Sequence, residues 1–313
     1  MQEYTRTIRE LINNPRRQHR LLKNKPLWLQ LCSSLDVIED TELAIASYEA
    51  GESRTSDGSR YLAVYGLLQA LFVQQDAVFN LCESLGIPES LGNYPRLEEI
   101  REVRHDSVGH PTKRARKRGH PTSYHFISRA TLRPDGFDLL SQYSDGELKR
   151  TTVSITGLVA DQRRYVDDVL QAVIRTLEEE EAAHKEKFRV QKLAAVFPST
   201  LDYALQKVLQ CTTTTEDAAL GQAHLQEIAQ ALQAFRDALA RRGIELDTYP
   251  SIRDVYQSLE YPLGQLEKFF ERAKAGAGPR IDARAAEIFA WYVQRQVAEL
   301  RAMAREIDAD YSS

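Results

Sequence analysis

Between residues 60 and 85, apolar side chains return at steps of three and four: Tyr61, Val64, Tyr65, Leu68, Leu71, Phe72, Val78, Phe79 and Cys82. That period lines up one face of an α-helix and leaves a strand no consistent face. Gly86 can close such a helix in a left-handed turn and Pro88 cannot extend it. A helix this long and this apolar must be covered by others, so the chain is expected to build a helical bundle. Its first cover is a second helix that opens at Pro95, a residue tolerated in the first helical position, and carries Leu97, Ile100 and Val103 inward. Gly109 is expected to end it in a left-handed cap, with Pro111 beyond. The short connection makes the two an antiparallel hairpin.

The flanking segments fit that plan. Residues 1–12 read as a short helix, and Asn13-Asn14-Pro15 breaks it into a basic segment ending at Pro26. Apolar packing resumes at Leu27, and residues 36–50 read as a helix. From Tyr124 to Ile155 the period shortens, with Asp135-Gly136 and Asp145-Gly146 turn signals, which predicts a β-hairpin or three-stranded insert around 123–156. Helical spacing returns over 159–193, where Glu178 to Glu181 form a solvated face. A boundary is expected near residue 196, before Pro198-Ser199-Thr200. Helices are then expected at 200–211, 215–242, 249–274 and 281–309, the third kinked or split at Pro262. The last carries Phe289, Val293, Val297, Leu300, Ala304 and Ile307 as a stripe that reads as intrachain core, with helix-to-helix oligomerisation the alternative. The expected fold is mainly α: residues 1–195 form an antiparallel bundle with a small β insert, and residues 196–313 form a helical C-terminal domain.

Composition narrows the function. Hydrophobic content of 42% and charged content of 27% are those of an ordinary globular protein. No stretch reads as the roughly 18 consecutive apolar residues that cross a bilayer, and the first residues lack a signal-peptide core. The expectation is a cytoplasmic protein without a membrane partner. Cys32, Cys82 and Cys211 lie far apart, which favours small buried hydrophobes over a disulfide framework or a zinc site. No Walker loop, dinucleotide-binding glycine fingerprint or nucleophile elbow occurs, and no metal or cofactor is expected. The net charge of −4 argues against coating nucleic acid along the whole surface. Local runs differ: Lys113, Arg114, Arg116, Lys117 and Arg118 cluster, as do Arg16, Arg17, His19, Arg20, Lys23 and Lys25.

Arg104 falls four residues after Ile100 and seven after Leu97, on or beside the inward face of its helix. A guanidinium there needs a carboxylate, a phosphate or a partner subunit. His110 stands at the helix end. Arg104-His105-Asp106-Ser107-Val108-Gly109-His110 resembles the R-x4-6-H motif of the HEPN family, in its five-spacer form with histidine in the polar slot. Members of that family are all-helical, dimerise, and in many cases cleave RNA without a metal. Arg114 to His120 and Arg118 to His125 have similar spacings, but only Arg104 and His110 close an amphipathic helix that follows a long apolar one. The resemblance stops short of residues 196–313, and the β insert departs from a minimal HEPN domain.

The resemblance implies two motif copies facing one another in a homodimer, with Arg104 on the phosphate and His110 handling a proton; His105 joins them as a catalytic candidate that supports the site or binds RNA, the plainer reading being a helix-surface histidine. Metal-free RNA cleavage needs a group to deprotonate the 2′-hydroxyl, a group to stabilise the crowded phosphate and a group to protonate the leaving oxygen. Histidine and arginine suit these tasks. The macrodipole at a helix C-terminus favours cationic His110, so a basic role would need burial and Arg104 to oppose it. Lys113, Arg114, Arg116, Lys117 and Arg118 would contact phosphates without reading bases. Asp106, His120 and His125 are candidate neighbours, the two histidines being ordinary loop and strand residues in the plainer reading. The expected function is a metal-independent endoribonuclease acting by 2′-OH transesterification, in a family whose members often serve as toxins or in antiviral defence beside an antitoxin or defence partner. The alternatives are a non-catalytic nucleic-acid- or protein-binding bundle, and a structural protein in which Arg104 and His110 only pack.

Overall fold

The computed structural model describes residues 1–51, 56–114, 121–213, 217–277 and 281–312. The fold is mainly α, with a small three-stranded antiparallel sheet in mid-chain and a helical C-terminal region. Two compact units, Met1–Glu179 and Glu180–Ser313, divide it.

The first unit opens with α1 (Gln2–Ile12) and α2 (Pro15–Leu22), followed by α3 (Lys25–Ala50). The basic stretch expected as a break is therefore mostly helical. Asn14 and Asn24 explain it: each side chain accepts a hydrogen bond from a first-turn N–H, and each precedes a helix with proline in its opening positions. Gly51, at φ +77°, ends α3. Helix α4 (Asp57–Leu85) is capped by Ser56 and closed by left-handed Gly86, where the sequence placed its end. Gln30 bonds to Asn80 and Glu83, and Gln74 reaches toward Glu42, so α3 and α4 run antiparallel.

By length and composition α4 could cross a membrane, which corrects the expectation that no segment could. Half of its most apolar window is buried in the protein, and Leu67, Leu68, Leu71 and Val78 are core residues. Its hydropathy thus has a packing cause.

Helix α5 (Pro95–Arg104) follows, then the sheet of β1 (Ser123–Ile127), β2 (Gly136–Tyr143) and β3 (Leu148–Ser154), then α6 (Ile155–Arg189). The strands form an antiparallel meander in the order β1-β2-β3. Ile127, Phe137, Leu139 and Val153 turn inward to join Leu97, Ile100 and α4 in one core cluster. Gly136 has a steric reason: a Cβ there would lie 2.3 Å from the Val153 carbonyl oxygen. A second cluster joins Ile8, Leu35, Val78 and Cys82 to Val166, Val169 and Leu170 of α6. Burial pushes the Cys82 thiol up to about 12.

The second unit contains α7 (Leu201–Cys211), α8 (Ala218–Arg241), α9 (Pro250–Lys274) and α10 (Ala283–Asp310). Pro262 does not split α9, which runs through it while Leu259 and Leu266 on either side stay buried. The α10 stripe of Val293, Val297, Leu300, Ala304 and Ile307 lies in this unit's core. The units part at 179/180, inside α6, rather than at the compositional break near 196. Phe188 and Leu193 are buried, and Leu193 packs in the C-terminal core, which draws the preceding turns of helix into the second unit.

Candidate functional site

The site grows from the α4–α5 contact. Arg101 of α5 donates from Nε to Gln75 Oε1 at 2.7 Å and pairs with Asp76. One turn later, Arg104 donates from Nε and Nη2 to a single oxygen, Gln69 Oε1, at 3.1 and 2.7 Å. These pairings set α5 antiparallel to α4. The ring of Phe72 lies between the two arginines, each guanidinium carbon 4.5 Å from its centre. Such cation–π contacts contribute about 0.5–2 kcal/mol and leave the positive charge in place. Among the described residues, no carboxylate pairs with Arg104.

Beyond Arg104 the chain makes a π turn, His105–Gly109, closed by the His110 N–H donating to the His105 carbonyl at 2.8 Å. Turns of this kind are frequent at functional sites. Gly109 is not the left-handed cap expected from the sequence, since it is not among the glycines at positive φ. Its requirement is space: a Cβ at this position would lie 2.7 Å from Arg104 Nη1 and 3.3 Å from His105 Nδ1. The missing side chain lets the guanidinium settle against the turn. The same turn sets the His105 and His110 rings nearly parallel, with centroids 6.3 Å apart. His105 meets Phe72 edge-on and lies 3.3 Å from Arg104 Nη1 through Nδ1. His110 is exposed.

Charge around the turn is uneven. Burial lowers the His105 pKa, and nearby Arg114 and Arg104 lower it further. Asp106 binds Arg114 and lies 3.2 Å from His125 Nε2. Arg114 also donates to Glu102 at 2.8 Å. Burial opposes the charge on Arg114, but these carboxylate bonds outweigh it and raise its pKa. The guanidinium that the sequence assigned to RNA is thus engaged by two acids. His125 is buried on β1, its Nδ1 2.8 Å from Ser141 Oγ and its Nε2 2.9 Å from Ser123 Oγ. With Asp106 it ties the sheet to the π turn. Lys113 is exposed. Arg116, Lys117, Arg118 and His120 lie outside the described residues, so each competing motif has a member there.

Sequence reasoning missed Gln69, Arg101 and the double role of Phe72. It also missed a buried amide chain in which Gln75 donates to Gln162 at 2.8 Å and Gln162 donates to Gln74 at 2.9 Å. Gln74 and Gln75 interrupting an apolar helix were the available signal, because buried amides need partners. Among the described residues, no group of three or more His, Cys, Asp or Glu side chains is placed to hold a metal ion. No family model, curated protein or solved structure matches this chain.

Proposed function

We propose that Arg104 and His110 form the site of a metal-independent endoribonuclease, in keeping with the chain's resemblance to the HEPN family. The observation that carries this reading is the neutral cradle of Arg104. Gln69 and Phe72 hold the guanidinium without cancelling its charge, which suits a receptor for an RNA phosphate.

Lowered proton affinity keeps His105 neutral at pH 7, and its Nδ1 faces a guanidinium that can only donate. The ring proton then belongs on Nε2, and His105 orients Arg104 instead of transferring protons. His110 is exposed beside it and handles a proton. In the reaction, a base takes the 2′-hydroxyl proton and the 2′-oxygen attacks phosphorus. The bond to the 5′-oxygen breaks and an acid protonates that oxygen, leaving a 2′,3′-cyclic phosphate and a 5′-hydroxyl. One chain offers a single exposed histidine at this turn, so a homodimer supplies the second from the copy of His110. A cytoplasmic toxin or defence effector restrained by a partner protein is the role this chemistry fits best.

The test is cleavage of labelled RNA in excess EDTA by wild type, His110→Ala and Arg104→Ala, each checked for folding and dimerisation. The proposal expects cyclic-phosphate ends and losses of about 10²–10⁴-fold in both variants. An inert wild type whose RNA binding survives both substitutions would instead identify a binding module.

A further inference from the structure

The exposed face of the sheet is unlike an ordinary solvated face. Successive strand residues alternate sides; the inward set of β1, with Phe137, Leu139, Ser141 and Val153, is buried, while Lys149 and Thr151 on the same side of β3 are exposed. The outward set begins with Tyr124 and Phe126 on β1, 41% and 54% exposed. Their cross-strand partners are Gln142 and Leu140, which pair onward with Leu148 and Arg150 of β3. Two aromatic side chains two residues apart on one strand therefore stand beside Gln142 and Leu140, with Leu148 and Arg150 on the next strand.

Charge follows the same surface. Arg150 binds Asp138, the face's own carboxylate, which also accepts from Thr152. At the end of the strands, Arg133 and Arg150 line a cleft of about 350 Å³ together with Thr131, Thr152 and the carboxylates of Asp135 and Asp138. Among the described residues no carboxylate is paired with Arg133. The exposed acids Asp135, Asp145 and Glu147 sit in the turns, outside the strands.

The edge of this face adjoins the segment that follows the Arg104–His110 site, while the π turn itself meets the opposite, His125 side of the sheet. His125 N–H donates to the Pro111 carbonyl at 2.6 Å, and Arg114 and Ser123 exchange backbone bonds at 2.8 and 3.0 Å. Residues 111–114 thus lie along β1 as a short added edge, with exposed Lys113 in it, and His110 immediately precedes them. Paired strands are about 4.8 Å apart, so Tyr124 is near the turn that presents His110.

We propose that this face binds the single-stranded part of an RNA substrate, with bases stacked on Tyr124 and Phe126 and phosphates led by Lys113 and Arg133 toward the Arg104–His110 site, Arg150 being held by Asp138. The inference rests on the ribonuclease reading for the use made of the bound strand. Single strands are the fitting substrate because their bases are open to stacking, whereas a duplex hides them. Stacking tolerates any base, so this face orients RNA without fixing its sequence.

The experiment is fluorescence anisotropy of a labelled single-stranded RNA of about twelve nucleotides, and of the same RNA annealed to its complement. Both are titrated into full-length His110→Ala protein with the natural face or with Tyr124→Leu and Phe126→Leu. Leucines keep the surface apolar but cannot stack. Single-strand affinity is expected to fall about tenfold for each aromatic removed, to return with Tyr124→Phe and Phe126→Tyr, and to change little for the duplex. Equal single-strand affinity in the leucine variants overturns the inference, as does a natural face that binds no single strand. Loss of self-association in sedimentation when both positions become alanine, with RNA binding unchanged, overturns it too by assigning the face to a second copy. Cleavage is scored separately. An intact stacking effect with cleavage indifferent to His110 sinks the nuclease reading alone, and cleavage that needs His110 with no stacking effect sinks this inference alone.

Discussion

Arg104 and Arg242 both sit against aromatic rings, and their partners differ. Arg242, in the second unit, is 2% exposed, with its guanidinium carbon 5.0 Å from the Tyr311 ring centre and 5.5 Å from that of Phe188. Its charge is closed by Asp308 at 3.3 Å, and it also donates to the Gln191 carbonyl. Asp308 further accepts the N–H groups of Leu193 and Ala194 at 2.7 and 2.9 Å. Arg104 has the same kind of aromatic support but neutral acceptors, the Gln69 amide oxygen and His105 Nδ1. A guanidinium meant to hold a fold is neutralised where it stands. One held by neutral groups keeps its attraction for an incoming anion.

The comparison can be broken most sharply through stability. Replacing Arg242 with alanine strips Asp308 of its buried partner and is expected to cost about 3–5 kcal/mol in urea unfolding, with the cleavage rate per folded molecule unchanged. Arg104→Ala reverses the pattern. Cleavage should fall about 10²–10³-fold, while stability falls by about 1 kcal/mol, since the residue is half-buried and its partners are neutral. Equal destabilisation by the two substitutions would erase the distinction.

A smaller effect tests the turn. Gly109→Ala places a methyl group 2.7 Å from Arg104 Nη1. The long side chain can move aside, so unfolding should shift by less than about 1 kcal/mol, while misplacement of the guanidinium lowers cleavage about tenfold. An alanine variant with full activity would show that the close approach is not used.

The smallest effect concerns His105. Its folded pKa is lowered, so at mildly acidic pH the unfolded chain binds more protons than the folded one, and stability falls as pH drops below the ordinary histidine value of about 6.5. The contribution is complete above that value and is lost progressively down to the lowered pKa. His105→Phe should flatten melting temperature against pH across that window. An unchanged slope would place the sensitivity elsewhere.

What was legible in the sequence follows from how local each signal is. The α4 stripe, its Gly86 cap, Pro95 opening α5 and the turns at Asp135-Gly136 and Asp145-Gly146 are written within a few residues, and each marks an observed element. Arg104 and His110 were readable as a candidate pair because a motif is also local. Gln69 and Phe72 became part of the site only when α5 folded back on α4, and no spacing within α4 announces a partner more than thirty residues away. Capture of Arg114 by Glu102 and Asp106 likewise depends on the π turn and on the edge beside β1. The boundary near 196 was sought in proline and serine, but it lies within α6, where packing and not composition divides the chain.

The most direct test of the account is a double-mutant cycle on single-turnover RNA cleavage in EDTA, using wild type, Arg104→Ala, His110→Ala and the double variant. Groups that serve one reaction centre are not additive. The account predicts a double variant about as slow as the slower single variant, with cyclic-phosphate ends in every residual product. Losses that multiply, or a wild type that does not cleave, would contradict the claim that Arg104 and His110 form one catalytic site.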